Sequence, residues 1–167
     1  MSTLVIGLGN PMLGDDGVGW RIAQEVERRL QAPADEHAQP RNIADHVEVD
    51  CAALGGLSLM ERMIGYDRVI LADAVVTGVH PIGEVVTLRL ADLLAGVSGH
   101  SGSTHDVSLA TALEIGKTMG AKLPDDLLII GVETSPNFEF REELSPPVDA
   151  ALPRAVNAVI QALEGPT

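Results

Sequence analysis

The segment Gly7-Leu8-Gly9-Asn10-Pro11 constrains this chain more than any other. It follows a short β-branched run, Thr3 to Gly7, and leads into Val18 to Gln31, where Ile22, Val26 and Leu30 recur on one helical face. A strand, a glycine turn and a helix in that order form the opening unit of an α/β sheet. The rest of the chain repeats the alternation. Val47 to Cys51 reads as a second strand, and Leu57, Met60 and Ile64 mark a short amphipathic helix. Arg68 to Ala72 is the most apolar stretch and reads as the central strand. Gly83 to Leu90 comes too soon after it for a helical crossover, which predicts a fourth strand antiparallel beside the third. Val107 to Met119 reads as a helix with Leu109 and Leu113 inward, and Leu127 to Val132 as the fifth strand. Pro147 to Leu163 closes the chain as a helix, with Pro153 as the place where it would bend. Ala32 to Asp45 and Gly96 to Thr104 read as loops. The expectation over residues 1–167 is one domain, a five-stranded mostly parallel twisted sheet with one antiparallel strand and helices on both faces.

The glycine turn first raises a dinucleotide site. The G-x-G-x-x-G pattern needs glycine where Met12 stands, and Asp15 and Asp16 lie where a pyrophosphate needs the positive helix end. Two carboxylates there repel it, so no nucleotide cofactor is expected. The formal net charge of −13, from 24 acidic and 11 basic residues, argues against nucleic acid and anionic membranes as partners. Only four residues are aromatic, too few for base-stacking platforms. No apolar run approaches the roughly 20 residues that span a bilayer. The start of the chain has no basic region before its apolar run, and the single cysteine, Cys51, cannot form an internal disulfide. A cytoplasmic location is expected.

The aspartate pair reads first as a helix cap, because carboxylates accept hydrogen bonds from free amides at the positive helix end. With two adjacent carboxylates, one can cap while the other, Asp16, faces the carboxyl edge of the sheet, where ligands of open α/β sheets bind. Asp73 ends the apolar run Leu71-Ala72-Asp73-Ala74 at the same edge, and an unpaired buried carboxylate is costly enough to need a reason. His105, in Ser103-Thr104-His105-Asp106, opens a helix after the glycine-rich loop. Each has a bland reading as a cap, a turn-former or a solvated side chain. Together they form a three-ligand metal set suited to zinc, nickel, manganese or iron, with His100 as a substitute for His105.

Two resemblances follow from these residues. Leu4 to Pro11 is similar to the opening of peptidyl-tRNA hydrolases, but the histidine which that family places soon afterwards is missing before His37. The segments Gly7-Leu8-Gly9-Asn10 through Asp15-Asp16-Gly17-Val18-Gly19, Ile70 to Ala74, and Ser103-Thr104-His105 through Leu109 resemble the [NiFe]-hydrogenase maturation endopeptidases. The likeness covers nearly the whole chain, including Ile130-Gly131-Val132. It implies a twisted α/β sheet and one reaction, removal of a short C-terminal extension from the hydrogenase large-subunit precursor after nickel insertion. It also implies that Asp16, Asp73 and His105 ligate or sense nickel, the metal arriving with the substrate. The family often carries an Asp-Gly-rich turn after the second strand. Here Cys51-Ala52-Ala53-Leu54-Gly55-Gly56 stands there, with the acidic residue replaced by Cys51 or displaced to Asp50, which bears on the choice of hydrogenase.

The chain has no Gly-x-Ser-x-Gly elbow and no His-Glu-x-x-His pair. A Cys51–His105 thiol dyad is the weaker route, because a cysteine at a strand end is usually a small apolar residue. The resemblance, together with this donor set, implies Asp16, Asp73 and His105 as the catalytic and metal residues of an aspartyl-type hydrolysis. In it, nickel polarises the scissile carbonyl or a water, and a carboxylate acts as base. The protease is expected to be a monomer. The rival from another class is a non-catalytic metal- or partner-binding module on the same fold.

Overall fold

The computed structural model describes residues 1–32, 43, 46–89 and 104–165, and the side chains of residues 104–108 lie outside that description. Five strands, β1 (Ser2–Leu8), β2 (His46–Ala52), β3 (Arg68–Val75), β4 (Val85–Arg89) and β5 (Asp126–Glu133), form one sheet in the order β2-β1-β3-β5-β4. β1 pairs in parallel with β2 and β3, β3 pairs in parallel with β5, and β4 runs antiparallel to β5. The expected antiparallel strand is present, but its neighbour is β5, not β3. β3 takes β1 and β5 as its two partners, so β4 is left to the free edge of β5.

The helices are α1 (Val18–Gln31), α2 (Gly56–Met63), α3 (Thr104–Thr118) and α4 (Pro146–Leu163). The two-residue period of the strands divides the core between the sheet faces. Val5, Ile70, Leu128 and Ile130 point to one face, under Ile22 and Val26 of α1 and Val156 and Val159 of α4. Leu4, Ile6, Leu71 and Ile129 point to the other, under Leu59 and Met63 of α2 and Leu109 and Leu113 of α3. The inward face of α2 departs from expectation: Leu59, Met60 and Met63 are buried, whereas Leu57 and Ile64 are exposed. Both sets satisfy a helical period, and Ile64 falls past the helix end. α4 runs as one helix across Pro153. The solvent face of α1 carries Glu25, which accepts from Arg28 at 2.7 Å and Arg29 at 3.0 Å. The loops expected over Ala32–Asp45 and Gly96–Thr104 fall almost wholly outside the described residues.

The start of α1 lies against the carboxyl edge of the sheet because glycine permits it. A Cβ on Gly19 would stand 2.3 Å from the carbonyl oxygens of both Leu8 and Ala72. Such a clash is with backbone, which cannot swing aside. The helix start is thus wedged between β1 and β3, beside the strand that carries Asp73.

Candidate active site

The strand β1 ends at Leu8, and the chain turns through Gly9, Asn10 and Pro11 into a 3₁₀ turn, Gly14–Gly17, that holds the aspartate pair. Gly9 has φ +114°, and a Cβ there would meet the carbonyl oxygen of Asp16 at 1.9 Å. Glycine is required on both counts. The close approach folds the turn back on itself, and the Asp16 Oδ2 accepts a 2.8 Å hydrogen bond from the Asn10 N–H. Asn10 Oδ1 in turn accepts from the Met12 N–H at 2.9 Å. Asp16 is half-buried, and among the described residues its Oδ1 takes no partner.

Neither aspartate caps α1, whose N-cap is Gly17 without a side-chain bond, so the capping expectation is corrected. Asp15 is buried and turns the other way. Its Oδ1 accepts from the Ser145 N–H at 2.6 Å and its Oδ2 from the Ser145 hydroxyl at 2.7 Å. Ser145 is the N-cap of α4, so Asp15 clamps the aspartate turn to the closing helix. Asp16 is the carboxylate of the pair that α4 does not engage.

Asp73 lies in β3 opposite Gly131 of β5 and is 6% exposed. Its Oδ1 accepts a 2.8 Å bond from the Ala74 N–H. The 3₁₀ turn packs against β3, so the elements carrying Asp16 and Asp73 meet at the carboxyl edge. His105 falls in the first turn of α3. The other end of α3 leads to Lys122, whose carbonyl accepts from the Gly65 N–H just before β3. The fifteen residues of α3, about 22 Å of helix, therefore run back from the amino edge towards the carboxyl edge. The imidazole itself lies outside the described residues, and among the described ones no three acidic, histidine or cysteine side chains are gathered as a metal site. His100 is also outside them.

Glu133 is not among the residues expected from the sequence. It ends β5 at the same edge, is almost fully buried, and its carboxylate accepts from the Thr77 N–H at 2.8 Å, the Thr77 hydroxyl at 2.7 Å and the Gly78 N–H at 2.9 Å. It thereby fixes the loop that follows Asp73. The signal was available, since Glu133 ends an apolar run as Asp73 does.

Cys51 stands opposite Gly7 at the end of β2, with its thiol 3.9 Å from the Trp20 carbonyl. Burial, and then the charges of Asp50 and Glu27, push its pKa up. A protonated thiol is a poor nucleophile, which argues against the Cys51–His105 dyad. Asp50, the other residue of the departing turn, has its Oδ2 2.8 Å from Arg62 Nε, and Glu48 pairs with the same guanidinium. Beside the aspartate turn opens a cleft of about 250 Å³ lined by Pro11, Met12, Trp20, Arg21, Gln24 and Glu142.

The chain matches the model of the HycI hydrogenase maturation protease family over residues 20–162. It is 30% identical to the hydrogenase 2 maturation protease of Escherichia coli over 98% of this chain and 91% of that protein. The structure of the hydrogenase-maturating endopeptidase HybD from E. coli superposes with a TM-score of 0.76 at 29% identity, covering 98% of this chain and 92% of that one. HybD of Thermococcus kodakarensis shares the fold with a TM-score of 0.71 at 18% identity, over 98% of this chain and 99% of that one. Of the two families whose openings this chain resembles, these relatives favour the protease over the peptidyl-tRNA hydrolase. The chain belongs to the hydrogenase maturation protease family and is a peptidase.

Proposed function

We propose that this peptidase removes the C-terminal extension of a [NiFe]-hydrogenase large-subunit precursor once nickel has been inserted, and that Asp16, Asp73 and His105 read the metal. Family membership supports the substrate class. The observation that carries the site is the division of labour in the aspartate pair: Asp15 is consumed by Ser145, while Asp16 keeps an oxygen without a partner among the described residues. Two carboxylates and an imidazole are oxygen and nitrogen donors that suit nickel in a protein substrate.

Bound by these donors, nickel would supply Lewis acidity to the scissile carbonyl or to a water. The chain's own share is positional. The Asn10 N–H orients Asp16, the Ala74 N–H orients Asp73, and Glu133 holds the neighbouring loop. A carboxylate so held can take a proton from water as the amide is attacked. The work is placed in the cytoplasm, on a monomeric enzyme, with no nucleotide or organic cofactor.

Mass spectrometry of the large subunit, before and after incubation with the protein, tests this reading. Loss of a C-terminal peptide is expected with wild type and is expected to stop in Asp16→Ala and in His105→Ala. Normal processing by either variant removes that residue from the site. Tight nickel binding by the isolated protein with no cleavage at all favours the non-catalytic module instead.

A further inference from the structure

Both phenylalanines of the chain stand in the loop between β5 and α4, and both are exposed, Phe138 at 39% and Phe140 at 79%. Met12, on the aspartate turn, is 42% exposed. Single exposed apolar residues are ordinary, but these three occupy two segments that are stitched together. The Arg141 N–H donates to the Met12 carbonyl at 3.0 Å, and the Gly14 N–H donates to the Arg141 carbonyl at 2.7 Å. Arg21 Nη2 donates to the Glu142 carbonyl at 3.2 Å, and Ser145 is held by Asp15. The loop is thus tied to the aspartate turn directly after Phe140, which limits the ordering entropy left to lose there on binding. Met12 and Glu142 also line the cleft beside Trp20, so the two segments that carry the exposed apolar side chains both border it.

The charge around this surface selects its occupant. Glu142 and Glu143 are exposed, and among the described residues neither carboxylate is in an ion pair. A second copy would bring like net charge to this acidic stretch, since the chain already stands at −13. The complementary partner is a polypeptide segment with apolar side chains flanked by lysine or arginine.

We infer that this surface grips the protein substrate away from the scissile bond. One apolar side chain of the precursor seats in the cleft beside Met12 and Trp20. Further apolar side chains cover Phe138 and Phe140, and cationic side chains face Glu142 and Glu143. The inference rests on the processing reading above and adds to it the chemistry that selects the precursor.

The test measures binding and cleavage of the nickel-loaded precursor in parallel. In Phe138→Ser/Phe140→Ser, Kd and KM should rise about tenfold while kcat stays within about twofold, the pattern of lost anchor side chains remote from the reacting atoms. Glu142→Lys/Glu143→Lys should weaken binding at low salt, with the difference shrinking as salt rises. Unchanged Kd and KM in the double serine variant overturn the proposal. So does a wild-type dimer that the serine substitutions dissolve, since the occupant is then a second copy. Precursor binding that depends on the two rings but leads to no cleavage upholds the docking surface and defeats the processing reading. Cleavage indifferent to the rings does the reverse.

Discussion

Asp15 and Ser145 are joined by two hydrogen bonds, 2.6 Å to the backbone N–H and 2.7 Å to the hydroxyl, across 130 residues of sequence. The pair fastens the aspartate turn to the first turn of α4 and is shielded from water on the Asp15 side. A charge-assisted bond of this kind contributes about 1.5–3 kcal/mol, and its loss leaves the half-buried Ser145 donors without this partner. Asp15→Ala is therefore expected to lower unfolding stability by about that amount. Asp16→Ala, which removes one bond at a half-exposed site, should cost about 1 kcal/mol or less. Urea unfolding of the two variants checks the contrast. Equal losses would mean that the two carboxylates do not have separate tasks.

Cys51 gives a second expectation. Burial, and then the charges of Asp50 and Glu27, raise the pKa of its thiol and so disfavour the nucleophilic thiolate. Cys51→Ala should process precursor at the wild-type rate, and the native thiol should react with iodoacetamide more slowly than free cysteine near pH 8. A Cys51→Ala variant without activity would restore the thiol route.

Asp67 predicts the acid limb of stability. Its carboxylate accepts from the Ser2 N–H at 2.8 Å and the Ser2 hydroxyl at 3.0 Å, with Lys122 Nζ at 3.4 Å, and these hold its pKa down at about 2. A carboxylate with a depressed folded-state pKa adds stability that is present above its ordinary value of 3.8 and is lost as pH falls towards about 2. Carboxyl NMR should follow the Asp67 midpoint to about 2, and Asp67→Asn should flatten the pH dependence of stability across that window. A midpoint near 3.8 would show that the Ser2 bonds are not kept in solution.

Much of this arrangement is legible in the sequence, for reasons that are local. The β1 run, the glycine turn and the α1 period are each written in adjacent residues, and the turn geometry follows from Gly9 and Gly19, where no other residue fits. The partner of β4 is not written that way. A short connection after β3 predicts an antiparallel strand, yet β5, made later in the chain, takes the place beside β3. The roles of Asp15 and Asp16 also depend on a distant residue. Nothing near them in sequence tells that Ser145 claims the first and frees the second. Glu133 obeys the rule that singled out Asp73, but its partners Thr77 and Gly78 lie 56 and 55 residues away.

The proposed reaction begins on a precursor whose nickel is already in place. The most direct measurement presents purified protein with the same large-subunit precursor in nickel-loaded and nickel-free form and follows the mass of the subunit. Loss of the C-terminal peptide from the loaded form alone, abolished by Asp16→Ala, is the predicted result. Equal shortening of both forms would show that cleavage does not depend on nickel in the precursor.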